Sequence, residues 1–332
     1  MKKILFLFIF SNGTLFGQNT PCESIGKKVD IGGWQMHYIY FDRASTDKPT
    51  VIFESGIRGF DFDWIPIQVE LQKKGINSLS YNRAGYACSQ LGPSPHTLRQ
   101  TVYNLHMLLE KANIRGKLVL VGASLGGLIV RQYAQSYPEN VAGLLFVDSG
   151  ADDGLHYING KKLHPSKDAP GKEIPEIRQT ANEKDNNITK SREAINAIES
   201  ALKPMGYPFE KVEYPFTNLP DSIQKYRIWG FNQLDYYIAN ENEFLLDEKA
   251  ELVRQRKNKD FLLGDTPIVV LTQSGGVSPN DEDIERLQMQ KEMLRLSKKS
   301  SQILVENSGH HIHMEKPELV IESISNMLGL NK

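Results

Sequence analysis

The apolar run Leu118-Val119-Leu120-Val121 leads directly into Gly122-Ala123-Ser124-Leu125-Gly126-Gly127. The residues that follow, Leu128-Ile129-Val130-Arg131-Gln132-Tyr133-Ala134, read as the start of a helix. A G-x-S-x-G pentapeptide between a buried strand and a helix commits the chain to one sharp strand-to-helix turn. A serine on such a turn is pushed out of the sheet with a strained backbone. Glycines flank it because a side chain there would collide with the neighbouring strand and helix. The helix N-terminus beneath the serine favours developing negative charge. Ser124 is therefore the candidate nucleophile. The bland alternative is a serine in a tight strand–helix connection with no chemistry.

The surrounding pattern supports a sheet built from such units. Residues 34–41 read as an early antiparallel strand, and Pro49 to Phe53 as a short buried strand ending in Glu54-Ser55-Gly56. A helix is predicted around 64–74, stopped at Gly75, and a strand over 76–81. Leu98, Val102, Leu105, Leu108 and Leu109 recur at helical spacing and predict an amphipathic helix over 97–113. A strand at 118–122, a helix at 125–137 stopped by Pro138, and a strand at 143–148 follow. Strands alternating with helices predict an α/β fold with a mostly parallel central sheet covered by helices on both faces.

That rhythm breaks after Gly150. Residues 151–262 are polar, hold several prolines and contain no continuous apolar strand. Helices are predicted near 191–203 and 233–257, with aromatics such as Tyr207, Phe216, Trp229 and Tyr236 concentrated between and around them. The rhythm resumes with a strand at 267–271, a helix near 282–297, a strand at 302–305 and a helix from Pro317 to Met327. The expected organisation is one α/β core, residues 25–150 and 263–332, interrupted by a mainly helical cap at 151–262. The aromatics either line a pocket under that cap or form its own small core.

A chain of 332 residues accommodates this single large domain with its insertion. The net charge of −1 gives no argument for a nucleic-acid partner. Charged runs such as Asp247-Glu248-Lys249 read as solvated helix faces. The N-terminus reads differently: Met1-Lys2-Lys3, the apolar Ile4 to Phe10, then small and polar residues through Gly17, as in a signal peptide cleaved after residue 17. The apolar stretch is too short to span a bilayer. The expectation is an exported protein, periplasmic or secreted, with no stable membrane span once the signal is removed. Two cysteines, Cys22 and Cys88, make neither a disulfide framework nor a zinc site. Export makes one bridge between them possible, worth about 2–4 kcal/mol. Two isolated cysteines are equally compatible with small buried hydrophobes.

A serine hydroxyl needs a base within hydrogen-bond reach. Ser308-Gly309-His310 follows the last predicted strand, at the sheet edge where the serine emerges, and His310 is the candidate base. His311 and His313 lie beside it. Without a matching Cys or carboxylate cluster they read as a polar loop rather than a metal site, and neither metal nor cofactor is expected. The base needs a carboxylate to hold its ring. Asp148 ends the strand after the nucleophile helix, while Asp281 and Asp283 fall after strand 267–271. All three preserve the order Ser, Asp, His, and Asp148 is preferred. The oxyanion of a tetrahedral intermediate needs preorganised donors. The candidates are the backbone N–H groups of Leu125 and, after Gly56, of Ile57.

Together these residues resemble the α/β-hydrolase superfamily. Leu118 to Gly127 is similar to its nucleophile elbow, Tyr81-Asn82-Arg83-Ala84-Gly85-Tyr86-Ala87-Cys88-Ser89 to its D-R-x-G-x-G-x-S loop, and Ser308-Gly309-His310 with Lys316-Pro317-Glu318 to its G-H…x-P-E ending. The insertion falls where the family places a cap. The chain departs from the pattern at Ala123, at Ser55-Gly56, at Asn82 and Ala87, and in Thr272-Gln273-Ser274-Gly275-Gly276, which lacks the late-strand carboxylate. Some members take the acid from the earlier strand end, which matches Asp148. The resemblance implies a serine hydrolase acting on a small acyl substrate such as an ester. A serine at position 124 argues against epoxide hydrolase and haloalkane dehalogenase chemistry, which in this family uses an aspartate. The alternatives are an aminopeptidase of the proline-iminopeptidase type, whose H-G-G-P-G segment is absent at 54–59, or a relative that binds a small molecule without turning it over.

Overall fold

The computed structural model describes residues 21–42, 48–154, 156–158, 161–275 and 280–330. The proposed leader at 1–17 lies outside them. Among the described residues, eight strands form one sheet: β1 (Lys27–Asp30), β2 (Gln35–Phe41), β3 (Thr50–Glu54), β4 (Ser78–Tyr81), β5 (Leu118–Ala123), β6 (Val141–Val147), β9 (Ile268–Gln273) and β10 (Ser300–Val305). A two-stranded antiparallel hairpin, β7 (His156–Ile158) with β8 (Lys161–Leu163), stands apart from it. The sheet order is β1-β2-β4-β3-β5-β6-β9-β10. β2 runs antiparallel to β1 and β4, and the remaining neighbours are parallel. β1 was not anticipated, because Lys27-Lys28-Val29-Asp30 has no apolar alternation and its residues are mostly exposed.

The central strands read as unbroken apolar runs because both sheet faces are covered. Leu118 and Leu120 face one core with Ile52, Leu144 and Phe146, under α2 (Leu98–Lys111) and α3 (Leu125–Ser136). Val119 and Val121 face the other with Val51, Phe53, Leu145 and Val147, against α1 (Ile65–Lys73) and α9 (Pro317–Met327). That alternation is the two-residue period of a strand. In register, Glu54 pairs with Gly122, Ala123 with Val147, and Val147 with Leu271. The carboxyl ends of β3, β5, β6 and β9 therefore meet along one edge, beside the β3/β5 position where the strand order reverses. Open α/β sheets place ligands there.

The insertion between β6 and β9 is mainly helical: α4 (Arg192–Leu202), α5 (Asp221–Phe231), α6 (Asp235–Ala239) and α7 (Leu245–Asn258). The single helix expected at 233–257 is two, broken at 240–244, where the Asn242 side chain accepts the Phe244 N–H at 3.0 Å. α5 was missed. Its buried face is Ile223, Arg227 and Gly230, and an arginine and a glycine on that face hide the apolar period. Only part of the insertion reaches the carboxyl edge of the sheet. Ala181 N–H bonds Gly32 O at 2.8 Å beside β1, and α7 packs on α2 and α3 through Leu252. No helix among the described residues is long and apolar enough to cross a membrane.

The reading of Asp247-Glu248-Lys249 as a solvated face is overturned, since all three are buried. Asp247 accepts the N–H groups of Gly171 (2.6 Å) and Lys172 (3.1 Å). Glu248 accepts those of Leu98 (2.8 Å) and Arg99 (3.1 Å) at the start of α2, beside the Thr97 cap. Those are donors a helix cannot satisfy internally. Lys249 Nζ donates to Gly154 O at 2.7 Å, and burial pushes its pKa down to about 8. Nearby, Asp152 sits between Arg131 of α3 (2.6 Å) and Arg256 of α7 (2.9 Å), all three buried. Burial alone would raise the Asp152 carboxyl, but the two guanidinium groups outweigh it and hold its pKa below the ordinary value. This triad ties the helix behind Ser124 to the insertion.

Cys22 and Cys88 form a disulfide with Cα atoms 5.3 Å apart. It joins the start of the described chain to the loop after β4.

Candidate active site

Ser124 follows the last residue of β5 and precedes the first of α3, with φ 50° and ψ −122°. A positive φ is strained for a side chain larger than glycine. The turn is held by its backbone: Ser124 N–H donates to Val147 O (3.2 Å), while Ser124 O accepts from Gly127 N–H (3.0 Å) and Gly150 N–H (2.9 Å). The flanking glycines are required by close approach. A Cβ on Gly122 would stand 2.6 Å from Gly126 O, and one on Gly126 would strike Glu54 O and lie 2.8 Å from Ser55 O.

The structure brings His310 onto Asp148. His310 Nδ1 and Asp148 Oδ2 are 2.7 Å apart. The Asp148 side chain is 0% exposed and that of His310 43% exposed, so the carboxylate is sealed while the ring remains reachable. The other carboxylate oxygen, Oδ1, accepts from Gln273 N–H (3.1 Å), Gln290 Nε2 (3.0 Å) and Arg286 NH1 (3.2 Å). Arg286 and Gln290 come from α8 (Asp281–Glu292), one turn apart on one face. Sequence reasoning missed both, since nothing local links them to a residue so distant in the chain. Asp283 is occupied elsewhere: with Asn280 it closes a reciprocal cap on α8, each side chain accepting the other's backbone N–H. Asp281 is exposed in the same first turn. The pattern Asn280-x-x-Asp283 carried that signal, as a carboxylate version of the capping box.

The segment after β3 approaches the serine closely: a Cβ on Gly56 would lie 2.9 Å from Ser124 Cβ. Arg83 fixes this segment from behind. Its NH1 donates to Glu54 Oε1 (2.8 Å) and Ser55 O (2.7 Å), and its NH2 to Gly56 O (2.7 Å). In a trans peptide the N–H of Ile57 points opposite to the Gly56 carbonyl, hence away from Arg83. Glu54 is buried and also accepts the Tyr81 hydroxyl. Burial pushes its carboxyl pKa up, and Arg83 pulls against that shift. Leu125, first residue of α3, carries one of the N–H groups that a helix leaves unpaired.

His311 and His313 are not a polar loop. His313 is stacked on Trp64 with ring centres 4.6 Å apart, and His311 tilts against Phe216 at 4.7 Å. Burial pushes His311 down to about 4 and His313 well below the ordinary value, helped by the neighbouring histidines and Arg227. Both rings are therefore neutral near pH 7. Among the described residues, no group of three or more His, Cys, Asp or Glu side chains is placed to hold a metal ion.

The insertion's aromatics chiefly form its joint with the core. Phe60, fully buried after β3, meets Phe231 at 5.1 Å and Tyr236 at 5.8 Å, and packs beside Phe62 and Tyr86. Arg227 lies 3.5 Å from the centre of the Phe216 ring and pairs with buried Asp63. A cavity of about 60 Å³ is walled by residues that include Ile57, Leu125 and Ile129 from the core and Ala239 and Leu245 from the insertion.

A family model described as alpha/beta hydrolase fold matches residues 49–317. An AB hydrolase superfamily protein of Gibberella zeae is 22% identical over 316 residues, covering 87% of this chain and 88% of its own. A thermophilic esterase from Thermogutta terrifontis superposes with a TM-score of 0.58 at 21% identity, covering 91% of this chain and 98% of its own. A laboratory-evolved potato epoxide hydrolase superposes with a TM-score of 0.60 at 18% identity, covering 92% and 98%.

Proposed function

The chain belongs to the α/β-hydrolase family, and on that premise we propose that it is an exported serine hydrolase that cleaves an ester or related acyl substrate through an acyl-enzyme on Ser124. The observation that carries this reading is the 2.7 Å contact of His310 Nδ1 with buried Asp148, at the same sheet edge as a serine on a strained strand–helix turn. Asp148 holds the ring so that Nε2 is the nitrogen free to act. Ser124 Oγ attacks the substrate carbonyl carbon and passes its proton to His310 Nε2. The carbonyl oxygen becomes an oxyanion held by the N–H groups of Leu125 and Ile57. Collapse expels the alcohol, which takes the proton from His310. Water then attacks the acyl-enzyme, with His310 again as base, and the acid leaves.

The test is labelling of Ser124 by a fluorophosphonate probe, followed by ester turnover in variants. Ser124→Ala should abolish both. Asp148→Asn should lower kcat by about 10³–10⁴, whereas Asp283→Asn should leave it within a few-fold. Unlabelled Ser124 in pure folded protein would leave only the small-molecule-binding alternative. The Cys22–Cys88 disulfide supports export, because such bridges persist in oxidising compartments. N-terminal sequencing of the secreted or periplasmic protein should find residues 1–17 gone.

A further inference from the structure

The Asp148 side chain is 0% exposed, so protein donors must replace the water its carboxylate has lost. They are divided unequally between its two oxygens. Oδ1 accepts three: Gln273 N–H (3.1 Å), Gln290 Nε2 (3.0 Å) and Arg286 NH1 (3.2 Å). Oδ2 faces His310 Nδ1 at 2.7 Å. A carboxylate oxygen offers about two lone-pair sites, so Oδ1 is saturated. The carboxylate cannot turn without giving up those donors, and Oδ2 is kept for the base. The Asp148 backbone sits at φ 38°, an uncommon conformation for a residue with a side chain, so its aim depends on these partners.

A short relay of side chains decides which end of the Gln290 amide meets the acid. Gln302 Nε2 of β10 donates to Thr272 Oγ1 (3.0 Å), and Thr272 Oγ1 donates to Gln290 Oε1 (2.6 Å). Thr272 and Gln290 are both buried. A hydroxyl has one proton to give. Given to Gln290 Oε1, it turns the amide NH2 toward Asp148. The opposite orientation would set an amide oxygen against the carboxylate with no proton between them.

Arg286 adds a charge. Its NH1 also donates to Gln273 O (3.1 Å), and its NH2 pairs with Asp283 Oδ1 at 3.4 Å. The cation is shared between two carboxylates, so it offsets only part of the Asp148 charge. An imidazolium at His310 is attracted by Asp148 and repelled by the guanidinium behind it. The other titratable and charged groups on this side are His311, with ring centres 5.2 Å apart, His313 beyond it, Arg227, which acts on His311 and is paired with Asp63, and Glu315, which accepts Gly309 N–H at 3.0 Å. None of these is altered in the variants below.

We propose, resting on the serine-hydrolase reading above, that Gln290 and Arg286 are positioning residues for the triad: Gln290, oriented by Thr272, fixes the aim of Asp148, and Arg286 offsets part of its charge so that His310 is released as a base under more acidic conditions.

The experiment measures the rate of Ser124 labelling by a fluorophosphonate, with kcat and KM for p-nitrophenyl butyrate, from pH 5 to 9. Each value is normalised to the sites labelled at completion, which removes any unfolded fraction. Arg286 is 25% and His310 43% exposed, so solvent screens their repulsion, and Arg286→Gln should move the acid limb up by about 0.5–1 pH unit. Arg286→Lys, which keeps the charge, should move it less than half as far. Gln290→Leu should lower kcat by about 10- to 100-fold, the range that a misaimed group costs, with KM nearly constant. Thr272→Val should lose part of the same activity, and Thr272→Ser, which keeps the hydroxyl, should recover most of that loss. Coincident acid limbs in wild type and Arg286→Gln, or equal shifts in Arg286→Gln and Arg286→Lys, overturn the charge role. Wild-type kcat in Gln290→Leu, or equal kcat in Thr272→Val and Thr272→Ser, overturns the orienting role. Wild-type protein left unlabelled at Ser124 overturns the serine-hydrolase reading on which both stand.

Discussion

Replacing Arg83 by lysine isolates how the segment after β3 is held in place. Arg83 spans three acceptors, Glu54 Oε1 and the carbonyls of Ser55 and Gly56, at 2.7–2.8 Å. A lysine ammonium is a point charge on a flexible stem. It can neutralise Glu54 but cannot reproduce a planar fork across two successive carbonyls. The Gly56–Ile57 peptide would then be free to rock, and in the proposed mechanism Ile57 N–H would lose the fixed orientation assigned to it as an oxyanion donor. Complete removal of one oxyanion donor costs about 10²–10³ in kcat, ~3–4 kcal/mol. Loosening one should cost less, about 10- to 100-fold in kcat, ~1.4–2.7 kcal/mol. KM should stay nearly constant, because the interaction develops in the transition state. Stability has to be separated from this effect. Glu54 is 1% exposed, and Arg83→Met would strand its buried charge, at about 3–5 kcal/mol. The double variant Glu54→Gln with Arg83→Met removes that charge, and should recover much of the melting temperature without recovering kcat. Steady-state kinetics, fluorophosphonate labelling rates and urea melts on the four proteins read each effect in turn. Wild-type kcat in Arg83→Lys, or kcat restored by the double variant, refutes the positioning role.

Three further perturbations test the packing around the site. Gly126→Ala drives a Cβ into the carbonyls of Glu54 and Ser55, backbone that cannot rotate away. It should cost at least about 1–3 kcal/mol and slow Ser124 labelling, as read by thermal melts and probe kinetics. Glu248→Leu strands the N–H groups of Leu98 and Arg99, and a loss of about 2–4 kcal/mol is expected in urea melts, with labelling at Ser124 retained in the folded fraction. Lys249 has its pKa depressed from 10.5 to about 8 in the fold, so the unfolded chain binds the extra proton between those values and wild-type stability should rise with pH across that window. The penalty is fully present below pH 8 and amounts to about 3 kcal/mol. Lys249→Met should therefore be at least as stable as wild type at pH 7, and its advantage should shrink by pH 10.5. A difference that does not change with pH contradicts the buried-lysine account.

The contrast between Asp148 and Glu248 shows which parts of this molecule can be read along the chain. The sheet and the elbow are legible because their causes are local. Strands covered on both faces must be continuously apolar, as Leu118 to Val121 is, and a serine turn whose Gly126 lies against the carbonyls of Glu54 and Ser55 and whose Gly122 lies against Gly126 needs glycines on either side. The acid is not legible in this way. Asp148 and Asp283 both lie between Ser124 and His310 in the chain, and only the pairing of β6 with β9 decides which of them reaches the ring. Asp283 did carry a local sign of its real task, the reciprocal cap with Asn280. Glu248 carried none. The early turns of α7 are buried nearly all round, Leu246 through Ala250, and a helix in that position ordinarily reads as apolar throughout. Here its charges are accommodated because the fold delivers exposed backbone ends to them: the start of α2 to Glu248, residues 171–172 to Asp247, and Gly154 O to Lys249. Charge in a sequence reports solvent only when no unpaired N–H or C=O lies opposite. The same logic hid α5, whose Arg227 is buried because Asp63 and the Phe216 ring receive it. The insertion is thus bound to the core by buried ionic contacts at α5 and α7, with the small cavity closed between them by Ala239 and Leu245. Holding the insertion at both flanks fixes the walls of that cavity by the framework, so enlarging it should require shortening its lining side chains Asn240 and Leu245 rather than loosening the insertion as a whole.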